Sequence, residues 1–270
     1  MNIGGREFDT DRHTYIMGIL NVTPDSFYGA SRFDHIDTAV KRACEMQKEG
    51  ADIIDIGGES TRPGYTKISS EEEIARVVPV IEAIKKEIDL PISLDTYKAD
   101  VALAGINAGA DLINDIWGLK ADKNMAGVIA NGGVAVCIMH NRQDTDYVSF
   151  VDDVIDDLKE SIEIAYKSGI KKEAVILDPG VGFAKDTEQN LQIIAELDRI
   201  NELGFPTLLG VSRKSVIGNT LNIPAEERLA GTIALNMIGY FKKTAFLRVH
   251  DVKEHVQAVR MADEVYKYIS

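Results

Sequence analysis

The chain has 270 residues, 45% of them hydrophobic and 27% charged, enough for one large packed domain or two small ones. Its formal net charge of −13 disfavours nucleic acid and anionic membranes as partners, so any anion must be held by a local cluster of cations and backbone N–H groups. No apolar run reaches the ~18 residues of a membrane span, and the start, MNIGGREFDT, lacks the basic and apolar regions of a leader peptide, so a cytoplasmic protein is expected.

Short apolar runs rich in Ile, Val and Leu alternate with longer amphipathic stretches. The first run, YIMGILNV (15–22), carries Asn21 at its end. DTAVKRACEMQKEG after it has helical spacing. The second run, ADIIDIG (51–57), leads into the polar stretch GESTRPG. Asp55 and Glu59 stand at the edge of that run, where a buried carboxylate needs a partner. Gly57, Gly58 and Gly64, with Arg62, suit close approach of an anion to the backbone. The helical pattern EEEIARVVPVIEAIKKEI precedes PISLD (91–95), which ends in Asp95, and DLIND (111–115) ends in Asn114 and Asp115. VAVCIMH (134–140) ends in His140 and is followed by VDDVIDDLKESIEIAYK, a helix with an acidic, solvated face. AVILDPG (174–180) carries Asp178. PTLLGVS (206–212) is followed by Arg213 and Lys214, and AFLRVHD (245–251) carries Arg248 and His250. The last helix repeats Val252, Val256, Val259, Val265 and Ile269. The two cysteines, Cys44 and Cys137, have no metal or redox spacing and read as reduced, buried thiols.

Eight near-continuously apolar strands, each followed by a helix, predict a single-domain (β/α)₈ barrel over residues 1–270, an α/β fold. EGADIIDI and AGADLINDI are faint internal echoes, each a helix ended by glycine that feeds a strand. A doubly wound open sheet is the alternative, disfavoured because no GxGxxG follows the first strand. In a barrel the C-terminal strand ends converge on one mouth, and all eight carry polar or charged residues there. For Asp115 and Asp251 a helix-cap role stands as an equal reading. Arg62, Arg213, Lys214, Arg248 and His250 suit an oxyanion, while Asp95, Asp178 and Asn114 suit a flat heterocycle that presents N–H donors.

GILNVTPDSF, GADIIDIGGESTRPG, SLDTYK, GADLINDIWG, ILDPGVGF, GVSRKSVIG and RVHDV, in this order, closely resemble the dihydropteroate synthase family of folate biosynthesis, the sulfonamide target. The resemblance implies a pterin-binding barrel that condenses p-aminobenzoate with 6-hydroxymethyl-dihydropterin diphosphate, releasing pyrophosphate. It implies a pterin pocket of Asp95, Asn114, Met139, Asp178, Phe183 and Lys214. It implies a diphosphate site of Asn21, Thr61, Arg62, Arg248 and His250, with Mg²⁺ near Asn21. The arylamine would lie beside Arg62, Pro63, Lys214 and Ser215, and Lys214, Arg248, His250 and Arg62 would be catalytic. A homodimer through the C-terminal helices is implied as well. The stretch GTIALNMIGYF, apolar almost all round, fits a helix buried on two sides, with a monomer as the alternative.

Two stretches depart from the family pattern. DSFYGASRF has Gly29 where an acid is usual, leaving Asp25 as the nearest substitute, and HNRQDTDY lacks the Met-Gly pattern after the histidine. The chemistry expected is dissociative, because C–O cleavage leaves positive charge on the pterin and negative charge on the diphosphate, and the aniline nitrogen is already neutral near pH 7. Lys214 has a Schiff-base alternative and His250 a core alternative. Two rival functions remain open at this stage. One is a pterin-dependent methyltransferase, which needs no diphosphate site; the other is a non-catalytic pterin- or protein-binding paralogue.

Overall fold

The eight apolar runs form eight parallel strands. The computed structural model describes residues 1–22, 32–59 and 67–268. The chain opens with two short strands, β1 (Asn2–Ile3) and β2 (Arg6–Glu7). The long series follows: β3 (Tyr15–Asn21), β4 (Ile53–Gly57), β5 (Ile92–Asp95), β6 (Leu112–Asp115), β7 (Ala135–Met139), β8 (Val175–Asp178), β9 (Leu208–Leu209) and β10 (Phe246–Val249). Between and after them lie α1 (Arg32–Glu49), α2 (Ser70–Ile84), α3 (Ala99–Ala108), α4 (Met125–Gly132) and α5 (Phe150–Lys167). The second half adds α6 (Thr187–Ala195), α7 (Leu197–Asn201), α8 (Ser215–Leu221), α9 (Leu229–Phe241) and α10 (Val252–Tyr266).

Strands β3 to β8 pair in chain order, and β10 lies between β3 and β9. The ring closes where Leu177 of β8 bridges Thr207 in parallel and its N–H donates to the Pro206 carbonyl at 2.9 Å. A doubly wound sheet would leave two edges, so the fold is the expected (β/α)₈ barrel in one domain. The two glycine-ended helices also take the expected form. Gly109 closes α3 with φ +111° and Gly50 follows α1 with φ +103°, conformations that a side chain disfavours.

Side chains alternate between lumen and helical shell along each strand. Ile54, Ile56, Leu94, Ile113, Val136, Leu177 and Leu247 face the shell and join one continuous core with the helices. Met17, Ile53, Leu112, Cys137, Ile176, Leu208 and Phe246 face the lumen, in a second cluster closed below by Ile3 and Phe8. Those two residues flank the β1–β2 hairpin, which turns on Gly4 and Gly5 with φ +59° and +82°. This floor is a feature that strand periodicity did not predict. Each fully buried aliphatic or aromatic side chain contributes about 1.5–3 kcal/mol over an exposed one. The lower lumen therefore carries stability, and the upper lumen is left for chemistry. Cys137 is buried there as expected, whereas Cys44 is only half-buried; both are free thiols.

Candidate active site

The two-residue alternation that fills the floor with apolar groups carries polar ones into the lumen near the mouth. Asn21, Gly57, Asp95 and Asn114 are successive partners across β3, β4, β5 and β6, and Met139 of β7 partners Asp178 of β8. Gly57 stands between Asn21 and Asp95 in this row, with its Cβ position 3.7 Å from Asn21 Oδ1 and 3.9 Å from Asp95 Oδ2. Arg248 of β10 crosses the lumen. Its Nε donates to Asp55 Oδ2 and its Nη2 to Asp95 Oδ2, both at 2.7 Å, while Ser93 Oγ donates to Asp55 Oδ1 at 2.5 Å. Asp55, at the edge of its apolar run, thus has two partners. Burial pushes Asp95 up to about 7 against the attraction of Arg248, and its Oδ1 is buried with no hydrogen-bond partner among the described residues.

Opposite this group stand Asp178 and Lys214. Asp178 Oδ1 accepts the Gly180 N–H at 2.7 Å, and burial raises its pKa. Gly210 lies beside both, with its Cβ position 3.7 Å from Asp178 Oδ2 and 3.8 Å from Lys214 Nζ. The Lys214 ammonium donates to the Val181 carbonyl and lies 4.8 Å from the centre of the Phe183 ring. Burial lowers its pKa to about 8, although the Asp178 charge resists. His250 Nδ1 is 2.9 Å from Ser212 Oγ, which also accepts the His250 backbone N–H at 3.2 Å. Asn114 and Met139 are buried in the lumen, while Ser215 is exposed at the first turn of α8.

Several polar residues at strand ends lie elsewhere. Asp115 and His140 are one step out of phase with Asn114 and Met139 and face the shell. Asp115 accepts the N–H groups of Trp117 and Leu119, both at 2.8 Å, so it holds a turn. Arg213, with φ +57°, turns its guanidinium onto Asp251 at 2.5 and 3.0 Å, so it does not join the oxyanion-binding cations. Asp251 in turn makes no side-chain cap for α10. Glu59 is held by the Tyr97 hydroxyl at 2.8 Å, by Lys98 Nζ at 2.6 Å and by the Ile68 N–H at 3.1 Å. Burial alone would raise its carboxyl; these donors outweigh it and hold it low. Ser93 was not singled out from the sequence, although it stands two residues before Asp95 on the same face. A hollow of about 1170 Å³ beside the mouth, lined by Tyr97, Lys98, Trp117, Lys120, Asn141 and Arg142, is distinct from the lumen. Thr61, Arg62, Pro63, Asp25 and Gly29 fall outside the described residues. Among the described residues, no group of three His, Cys, Asp or Glu could hold a metal by itself.

The upper lumen thus pairs acceptors for a flat donor-rich ring with cations. Known proteins similar to this one match nearly the whole chain. The sequence pattern of the family described as pterin binding enzyme matches residues 17–250. Dihydropteroate synthase of Clostridium beijerinckii is 56% identical over 268 residues, covering 99% of this chain and 100% of that protein. The structure of dihydropteroate synthase from Clostridium difficile in the presence of pteroic acid superposes with a TM-score of 0.93 at 51% identity, covering 96% of this chain and 99% of that one. That of Xanthomonas albilineans with 4-aminobenzoic acid gives 0.92 at 40% identity, covering 98% and 97%. Such full-length similarity goes with the diphosphate-using branch and not with a methyltransferase. The chain belongs to the pterin binding enzyme family, in its dihydropteroate synthase branch.

Proposed function

We propose that the upper lumen carries out dihydropteroate synthesis by dissociative substitution, with the pterin held between Asp95, Asn114, Met139, Asp178, Phe183 and Lys214. The observation that carries this reading is the buried Asp95 Oδ1, without a hydrogen-bond partner among the described residues and facing the same lumen as Asn114 and Asp178. A buried acceptor without a partner costs about 1–3 kcal/mol, which a ring N–H would offset. Breaking the methylene–oxygen bond sends its electron pair to the leaving pyrophosphate and leaves positive charge on the pterin. Asp95 and Asp178 then face a cation, and their interaction strengthens as the bond breaks. Arg248, His250 and Arg62 bind the departing diphosphate, with Thr61. Two of the five N–H donors of Arg248 are taken by Asp55 and Asp95, and the others serve the leaving group. The neutral aniline nitrogen of p-aminobenzoate, beside Arg62, Pro63, Lys214 and Ser215, attacks the methylene carbon, and its proton passes to the released pyrophosphate or to water as the new C–N bond forms. Lys214 acts as a hydrogen-bond donor and needs no Schiff base. Mg²⁺ prefers oxygen ligands and keeps several waters, bound through one or two protein groups plus substrate phosphates. Asn21 beside the mouth fits that pattern, and the ion would add positive charge at the leaving group.

Turnover of 6-hydroxymethyl-dihydropterin diphosphate with p-aminobenzoate, read as pyrophosphate release, tests this reading. Asp178→Asn keeps the shape and removes the charge. It should lower kcat/KM for the pterin substrate on the order of a hundredfold, with the KM for p-aminobenzoate unchanged. Wild-type kinetics in this variant refute the pterin assignment. We further infer a cytoplasmic homodimer: the free thiols favour a reducing compartment, and Ile238, Phe241, Met261 and Val265 expose apolar surface on α9 and α10.

A further inference from the structure

Lys185 lies outside the lumen, and no role in the reaction above uses it. Its buried ammonium has three donors, and all three are taken: His140 Nδ1 at 2.8 Å, the Gly180 carbonyl at 3.1 Å and the Phe183 carbonyl at 3.1 Å. As an ammonium Lys185 can only donate, so His140 then accepts at Nδ1 and carries its proton on Nε2; burial lowers the Lys185 pKa to about 7, and this arrangement belongs to the protonated form below that value. That proton goes to Asp157 Oδ2 at 3.0 Å on α5, which also accepts Arg142 Nε at 2.5 Å. The line from Lys185 through His140 to Asp157 ties the segment after β8 to the end of β7 and to a shell helix. Burial drives the His140 pKa down to about 4, so the neutral ring that this pattern needs is the stable one.

The segment so tied is an unusual one. Gly180, Gly182 and Ala184 all have positive φ, +72°, +85° and +44°. A left-handed conformation at a non-glycine residue costs roughly 1–2 kcal/mol, so Ala184 must be held there. A Cβ on Gly180 would stand 1.9 Å from the His140 carbonyl oxygen, which shows how closely the two backbones approach. The Tyr147 hydroxyl donates to the Ala184 carbonyl at 2.8 Å, and Asn190 Oδ1 accepts the Gly182 N–H at 2.5 Å. The stretch that Lys185 holds at its two ends, Gly180 to Phe183, contains Val181 and the Phe183 ring. Val181 offers its carbonyl to Lys214, and the Phe183 ring lies against the same ammonium.

We propose that Lys185 is a positioning residue for the pterin end of the site. By fixing the Gly180 and Phe183 carbonyls against His140, it sets the carbonyl and the ring that aim Lys214 at the substrate. The inference rests on reading Asp178, Phe183 and Lys214 as the pterin wall. Lys185→Met keeps the stem and removes the donors. It should raise the KM for the pterin diphosphate between about tenfold and a hundredfold, the scale of a misplaced contact. The KM for p-aminobenzoate should move less, since Lys214 is only one of its four neighbours, and amide exchange over residues 180–185 should quicken. Tyr147→Phe, which loosens the same segment by one peripheral hydrogen bond, should move pterin KM the same way by a few-fold, and it serves if the methionine variant folds poorly. Unchanged exchange, or a loss confined to the amount of folded enzyme with both KM values intact, overturns the proposal. Quickened exchange with an unmoved pterin KM also overturns it. In that event Asp178→Asn distinguishes the cause: a pterin defect there leaves the wall reading standing and removes only Lys185, whereas none removes the wall.

Discussion

In the role proposed for it, Lys214 acts as an ammonium, through a carbonyl hydrogen bond and the face of Phe183, and a neutral amine keeps little of either. Burial has brought its pKa to about 8. The folded enzyme therefore loses this proton as pH rises through that value, well before an unfolded lysine would. We expect kcat/KM for the pterin substrate to rise through about pH 7 as Asp95 ionises, and then to show an alkaline limb that falls about tenfold per pH unit above the lysine transition. In Lys214→Arg the guanidinium stays charged, so whatever activity remains should show no such limb. A wild-type profile that does not fall before about pH 10, or an alkaline limb that survives in the arginine variant, refutes the role. Lys214, Asp95, Asn114 and Asp178 were legible in the sequence because each interrupts or closes an apolar run. The facing of their neighbours was not. Both faces of a parallel strand are buried, so apolarity does not mark which side is lumen, and Asp115 and His140 differ from true lumen residues by one step. Nor could the sequence pair Arg248 with Asp55, 193 residues away.

Among the elements, the β1–β2 hairpin is the one with a large structural task and a faint signal. Two residues per strand give no period to recognise, and only Gly4-Gly5 marked the turn. The hairpin matters because it delivers Phe8 to the barrel floor. The Phe8 ring is edge-on to Tyr15 at 4.8 Å and 5.7 Å from the centre of Phe246. Removing it opens a cavity among residues that cannot collapse without distorting the strand ladder. Phe8→Ala should cost about 3–5 kcal/mol in urea unfolding. Because the floor is at the end opposite the mouth, both KM values should be unchanged. A loss below about 1 kcal/mol would mean that the floor is not packed as described. The eight barrel strands, by contrast, announced themselves through length and composition, and their predicted ends overran the ladder by a few residues where Ser212 and His250 turn into loops.

On the scale of the molecule, α9 has an inverted pattern. The buried face carries Thr232, Asn236 and Gly239 beside Tyr240, with Leu235 and Met237 partly buried, while Ile238 and Phe241 remain exposed. The helix next to it, α10, exposes Met261 and Val265, with Met261 66% accessible. A chain of net charge −13 repels its own copies over most of its surface, so association must use a patch where apolar area outweighs charge. This face meets that condition. It also leaves the mouth untouched, although Thr232 and Arg228 at the start of α9 hold the Arg213 backbone next to Lys214. Sedimentation at micromolar concentration should give the mass of two chains. Met261→Lys puts a charge on the patch without opening a cavity in the monomer, since the side chain is already in water there. It should shift the protein to single chains with little change in unfolding of the monomer, and with pterin binding kept. A wild type that sediments as one chain removes the dimer. A Met261→Lys variant that remains two chains moves the interface off this face.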